Sequence, residues 1–311
     1  MSRLPRVLHC DLPRLERAIL RPTLPPAHLD TGEPLLLNFL AAAPNLRQLE
    51  LAADEIPWHY HLALPAVDRL AQSSPSPLTV LSFKSFWCTL NSMMPLIRQS
   101  AATLRQLRLS ATHMDASSIA LEPPLHMPRL ESVDMDGRIH PILKLLRAPG
   151  VKSVIVRRCQ LNDNDATASL LEFLCDAEFA PTDVRHLELL NFHHQPRSTV
   201  DDGRVNRLLF ILRRLESLRS LSIGVGSGQC NPTMSFAPGA SLFDRIREEG
   251  LLPNLTDLTV HNGCKAGHPH HLDIRNSVRE MAESRALPSL INGRDVVALR
   301  RVETDFDVES D

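Results

Sequence analysis

Histidine is the residue grouped most suggestively for chemistry in this 311-residue sequence. His268, His270 and His271 surround Pro269, His193 and His194 are adjacent, and His59 and His61 stand two apart. Imidazoles at such spacing invite a metal, but a zinc site needs three or four converging ligands oriented by outer hydrogen bonds. These groups fall in different loops, and no cysteine or carboxylate stands at ligand spacing from them. Polar loop residues are therefore expected, with no metal and no cofactor. The six cysteines (Cys10, Cys88, Cys159, Cys175, Cys230 and Cys264) form no C-x-x-C motif. A chain this long needs no disulfide staples, so a reducing interior, cytoplasmic or nuclear, is expected.

Three further segments resemble chemical motifs and fall short of them. Gly224-Val225-Gly226-Ser227-Gly228 follows an expected strand, as phosphate loops do. It has neither the G-x-x-x-x-G-K-[ST] nor the G-x-G-x-x-G spacing, and its serine misses the G-x-S-x-G frame. A loop running to about Gly239 is the simpler reading. Asn162-Asp163-Asn164-Asp165 opens like a calcium loop but lacks the glycine and the distal glutamate. Capping of a helix beginning at Ala166 explains it better, and Asp201-Asp202-Gly203 before Val205 reads the same way. No Ser/His/Asp or Cys/His set can be assembled by spacing, so no enzyme activity is expected.

The bulk properties narrow the classes further. The formal charge is -2, from 34 basic and 36 acidic side chains, and no basic tract is present. A phosphate-backbone binder needs a basic stripe, so nucleic acid is not an expected partner. No apolar run reaches the roughly 18 residues that cross a bilayer, and Met1 to Asp11 has no signal-peptide pattern, so no membrane partner is expected. Only Phe 10, Trp 2 and Tyr 1 supply aromatic rings. The core must therefore be aliphatic, chiefly leucine.

Self-similarity organises that leucine. Leu46-Arg47-Gln48-Leu49-Glu50-Leu51 spells L-x-x-L-x-L, and the frame returns at 78, 104, 130, 151, 184, 218 and 255, with a weaker copy at Leu15. Proline stands two places ahead of several copies (Pro13, Pro44, Pro128, Pro149, Pro253), stopping a helix and feeding an extended segment. The fourth and sixth places share one side of a strand and enter the core, while the residues between them face solvent. Helical spacing fills the intervals at Leu35 to Ala43, Met93 to Ala102, Ile139 to Arg147, Ala166 to Phe179, Val205 to Leu215, Leu242 to Glu249 and Leu272 to Ala286. Strand, loop, helix, strand predicts an α/β fold, with a curved parallel sheet on the concave face and helices on the convex face.

The segment Val151-Lys152-Ser153-Val154-Ile155-Val156-Arg157-Arg158-Cys159-Gln160-Leu161 resembles the L-x-x-L-x-L-x-x-C-x-L unit of leucine-rich repeats of the ribonuclease-inhibitor-like class. The resemblance covers about residues 13 to 262 and implies an irregular solenoid. The ninth position of the unit departs from that class, because only Cys159 fits it well. The uneven intervals also resemble the repeat regions of fungal F-box proteins. That likeness implies, as an alternative function, the substrate-recognition part of a ubiquitin-ligase adaptor whose F-box is absent from this chain.

One repeat domain is expected over residues 1–298, closed by a helix near 272–286, with 299–311 an acidic, disordered tail. The first copy begins almost at residue 1, leaving too little chain for a polar cap. The start is expected to be cut from a longer protein, to form an edge strand, or to associate through its uncapped end. The expected function is a protein-interaction scaffold with its partner on the concave sheet face. Charge there alternates from strand to strand as Arg108, Asp134 with Asp136, Arg157, then His186 with Glu188. These six are the candidate binding residues.

Overall fold

A leucine frame with period two has one way to satisfy both its side chains and its backbone: each copy extends and pairs with the next. In the computed structural model successive copies pair in this way within each of two units. The structure describes residues 12, 14–21, 39–40, 42–52, 77–86, 90–111, 123–137, 140–157, 164–176, 178–190, 201–224, 240–261 and 269–304. The chain divides into two units, Met1–Pro149 and Gly150–Asp311.

The first unit holds strands β1 (Arg17–Leu20), β2 (Gln48–Ala52), β3 (Val80–Phe86), β4 (Gln106–Ala111) and β6 (Ser132–Gly137), paired in parallel in that order. Register follows the frame: Ala18, Leu49, Leu81, Leu107 and Val133 align at the fourth place, and Leu20, Leu51, Phe83, Leu109 and Met135 at the sixth. From Leu49 onward each of these is at most 4% exposed. One α-helix, α1 (Leu90–Ser100), lies between β3 and β4 and buries Met93, Met94, Leu96 and Ile97. The expected helix at Ile139 to Arg147 is a 3-10 helix, His140–Leu145. It runs into β7 (Leu146–Arg147), which pairs with β5 (Leu125–His126).

The second unit repeats the scheme with β8 (Ser153–Arg157), β9 (His186–Leu190), β10 (Ser220–Gly224), β11 (Asp257–His261) and β14 (Arg301–Thr304). Val154, Leu187, Leu221, Leu258 and Val302 align, two places before Val156, Leu189, Ile223, Val260 and Thr304. Between the strands run α2 (Asn164–Cys175), α3 (Asp201–Arg214), α4 (Ala240–Glu248) and α5 (Pro269–Ser284). Their apolar residues, such as Leu170, Phe173, Ile211, Phe243 and Met281, are as fully buried as the inward strand residues. Each fully buried leucine contributes about 1.5–3 kcal/mol, so these layers hold the fold together.

Arg301–Thr304 corrects the expectation of a disordered tail from 299 onward. Leu299-Arg300-Arg301-Val302-Glu303-Thr304 keeps the frame, with threonine in the sixth place, and its backbone pairs with β11. Residues 305–311 lie outside the described residues. Ahead of this strand, Asn292-Gly293 turns the hairpin of β12 (Ser289–Ile291) and β13 (Arg294–Val296). Both turn residues have positive φ, 50° and 76°, the conformation that Asn-Gly favours in a two-residue hairpin.

Among the described residues no helix is long and apolar enough to cross a membrane. The end of α4 shows how a helix stops here. Gly250, at φ 61°, lets its own N–H reach Arg247 O at 3.3 Å and the Leu251 N–H reach Ile246 O at 3.1 Å. This is a Schellman closure.

Candidate functional site: the outward sheet faces

Because the fourth and sixth places face the core, the third, fifth and seventh present their side chains on the opposite face. All six candidate residues fall there, three in each unit. In the first unit Arg108 on β4 is exposed and stands in register between Ser82 and Asp134. Asp136 is half-buried opposite Ser110, whose hydroxyl donates to its Oδ2 at 3.4 Å. Sequence reasoning passed over the neighbouring ion pair: Lys84 Nζ reaches Glu50 Oε1 at 2.9 Å. Glu50 is in register with Ser82 and Lys84 with Ala52, so the pair spans a diagonal of the parallel sheet.

The second unit gathers Arg157, His186 and Glu188 into one network. Arg157 is opposite Leu190, and Glu188 is opposite Ile155, so these two also meet on a diagonal. The Arg157 Nε donates to Glu188 Oε1 at 2.6 Å. The imidazole of His186 stands on the other side, its Nε2 3.9 Å from Glu188 Oε2 and its Nδ1 3.1 Å from Ser220 Oγ. Ser220 was not singled out from sequence, because it stands 34 residues from His186 and only strand register brings them opposite. His186, through its proximity, and Arg157 hold the Glu188 carboxyl below its ordinary range, while burial pushes it the other way. At 3.9 Å the imidazole lies beyond normal hydrogen-bond reach, so the Arg157 hydrogen bond at 2.6 Å is the firmer geometric cause.

Ser220, His186 and Glu188 are residue types that could form a nucleophile, base and acid. An acyl-transfer site also needs a donor for the developing oxyanion. The Ser220 N–H is bonded to Arg185 O at 3.0 Å and the His186 N–H to Lys152 O at 3.0 Å, so neither amide is available to one.

A depressed carboxyl pKa is a stability statement with a definite sign. The contribution of Glu188 is complete above its ordinary value of 4.5 and disappears as pH falls through its lower folded value. Wild type should therefore be more stable than Glu188→Gln above pH 4.5 and lose that advantage progressively as pH falls below it. Urea unfolding of both proteins across this range measures it. A gap that stays constant as pH falls would contradict the assignment.

The alternative chemical centres resolve differently. Among the described residues no group of three His, Cys, Asp or Glu could hold a metal. His59, His61, His193, His194 and His268 lie outside the described residues, as do the side chains of His270 and His271 in α5. Asn162 and Asp163 lie outside them too. Gly224 has a structural reason to be glycine: at φ 134°, a Cβ would lie 1.8 Å from His261 O on the next strand. Cys175 is a free thiol, and burial pushes its pKa up with only partial relief from Arg214, the reverse of an activated nucleophile.

No known protein family, curated protein or solved structure matches this chain.

Proposed function

We propose that the chain is an irregular leucine-rich-repeat protein of the ribonuclease-inhibitor-like class, working as a non-catalytic scaffold. A partner protein binds its outward sheet faces through Arg108, Asp134, Asp136, Arg157, His186 and Glu188. The observation that carries this reading is the contrast between the two sides of the same strands. On β9, Leu187 and Leu189 are at most 1% exposed, whereas His186 and Glu188 alternate with them and remain partly open to solvent. Polar side chains cross-linked by hydrogen bonds on a rigid sheet lose little rotamer entropy on binding, which suits recognition.

Comparative capture tests it. Full-length wild type, Arg108→Glu/Arg157→Glu on the sheet faces, and Asp273→Lys/Arg279→Glu on the exposed side of α5 serve as baits in the same extract. Recovery of the specific partner should fall about tenfold or more with the sheet-face variant, equivalent to about 1.4 kcal/mol, and stay unchanged with the helix variant. Equal recovery by all three would overturn the proposal. So would ester hydrolysis by the wild type that Ser220→Ala abolishes.

A further inference from the structure

The second place of the leucine frame forms its own row across the second unit: Lys152, Arg185, Arg219, Thr256 and Arg300. Backbone hydrogen bonds show that successive members are neighbours. The N–H of Arg185 donates to Lys152 O at 2.8 Å, that of Arg219 to Arg185 O at 2.9 Å, that of Thr256 to Arg219 O at 2.9 Å, and that of Arg300 to Thr256 O at 2.8 Å. Adjacent members are thus roughly 4.8 Å apart along the rim where the strands begin. All four cations are exposed. Asp183 grips Arg185 at 2.6 Å, and its carboxyl is held low by Arg185 first and by Lys152 and Arg219 at longer range. Among the described residues no carboxylate forms an ion pair with Lys152, Arg219 or Arg300.

The fold does not ask for this row. Like charges on neighbouring strands oppose sheet pairing. Threonine fills the position well, since the Thr79 hydroxyl donates to Arg47 O at 3.2 Å and the Thr256 hydroxyl has Asp257 Oδ2 at 2.7 Å and Arg219 O at 3.1 Å as acceptors. In the first unit the corresponding row is Glu16, Arg47, Thr79, Arg105 and Glu131, of mixed sign, where Arg105 and Glu131 neutralise each other at 3.7 Å. Only the second unit keeps a row of a single sign.

We propose that this rim is a docking rail for an extended, acidic polypeptide segment. Four strand steps span about 19 Å, which an extended chain covers with about six residues. Carboxylates at every second residue would then lie along one edge, within reach of flexible arginine and lysine side chains. A peptide fits better than a nucleic acid for two reasons. No Phe, Tyr or Trp stands in the row or in the neighbouring Ser153, His186, Ser220 and Asp257, so a strand of bases meets one imidazole and no run of rings to stack on. Further in, Glu188 and Glu303 repel a broad polyanion but leave room for a narrow one. The rail does not depend on the sheet-face reading above.

The test is fluorescence anisotropy with the full chain and a labelled peptide of four Glu-Ser repeats. A Lys-Ser peptide and an eight-nucleotide oligothymidylate are titrated alongside. The Glu-Ser peptide should bind, and its affinity should fall tenfold or more between about 50 and about 500 mM salt, as screening requires. Lys152→Gln/Arg219→Gln/Arg300→Gln should lose at least tenfold in affinity with an equal or higher melting temperature, whereas Arg275→Gln/Arg279→Gln should bind like wild type. The proposal is overturned if the peptide fails to bind or if the triple variant keeps its affinity. It is equally overturned if that variant melts lower, or if the oligonucleotide or the Lys-Ser peptide binds more tightly.

Discussion

Leu187→Asp is expected to unfold the second unit, while Glu188→Lys, one residue along, leaves it folded. Leu187 is fully buried and aligned with Val154 on one side and Leu221 on the other, so an aspartate there would meet only hydrocarbon. Removing the leucine alone costs about 2–5 kcal/mol. An unpaired carboxylate in the same place adds several kcal/mol more, or the cost of taking up a proton to avoid the charge. The sum reaches the roughly 5–15 kcal/mol by which a whole domain is stable. Glu188→Lys breaks the Arg157 pair, in which the two side chains are 35% and 17% exposed. At this partly solvated face, losing the pair and setting a like charge beside Arg157 costs about 1–2 kcal/mol, well below the cost at Leu187. Circular dichroism and urea denaturation of both variants distinguish the two faces. Equal damage from both would mean that the register described above is wrong.

The second large effect is expected at Arg285, just beyond α5. Its side chain is fully buried, and among the described residues no carboxylate pairs with it. Burial alone pulls its pKa down to about 10, so the guanidinium keeps its charge at neutral pH. The group donates from Nη1 to Leu252 O at 3.1 Å and from Nη2 to Leu251 O, and its Nε is left without a partner. Those carbonyls lie just past the Schellman closure, where Leu252 has a φ of 54° and the backbone has left regular helix geometry. Arg285 therefore ties the end of α5 to the turn between α4 and β11. Arg285→Ala takes the guanidinium donor from Leu251 O, leaves Leu252 O with the Leu255 N–H at 3.1 Å, and opens a cavity, a loss of about 3–5 kcal/mol. Arg285→Met fills most of the volume and should recover part of that loss without restoring the hydrogen bonds. Urea midpoints of wild type and both variants give the order. An alanine variant as stable as wild type would show that the buried cation costs as much as its hydrogen bonds return.

How much of this could be read from the chain depends on whether the signal is local. The nine leucine frames lie on nine parallel-paired strands because period two is written within six residues and register is forced by burying the fourth and sixth places. Helix boundaries came within a few residues for the same reason: α2 begins at Asn164 where a cap was expected nearby, and α4 at Ala240 rather than Leu242. The tenth strand was hidden by its sixth residue, Thr304, and by the acidic residues that follow. The Asn292-Gly293 hairpin signal was present in the sequence and went unused. The candidate residues could be placed on the outward face by alternation alone. Their partners could not, since Ser220 meets His186 and Glu50 meets Lys84 only through strand register. The basic rim was invisible for the same reason: 33 residues separate Lys152 from Arg185 and 34 separate Arg185 from Arg219. A search for basic tracts sees only neighbours in sequence.

The sheet-face account is tested most directly by site-specific photo-crosslinking in the presence of the captured partner. A photoreactive amino acid replaces Arg108, Ile155 or Glu188 on the outward faces, and Phe210 or Arg279 on the helices. The account predicts crosslinks from the three sheet positions and none from the helical ones. Crosslinks confined to Phe210 or Arg279, with the sheet positions silent, would contradict it.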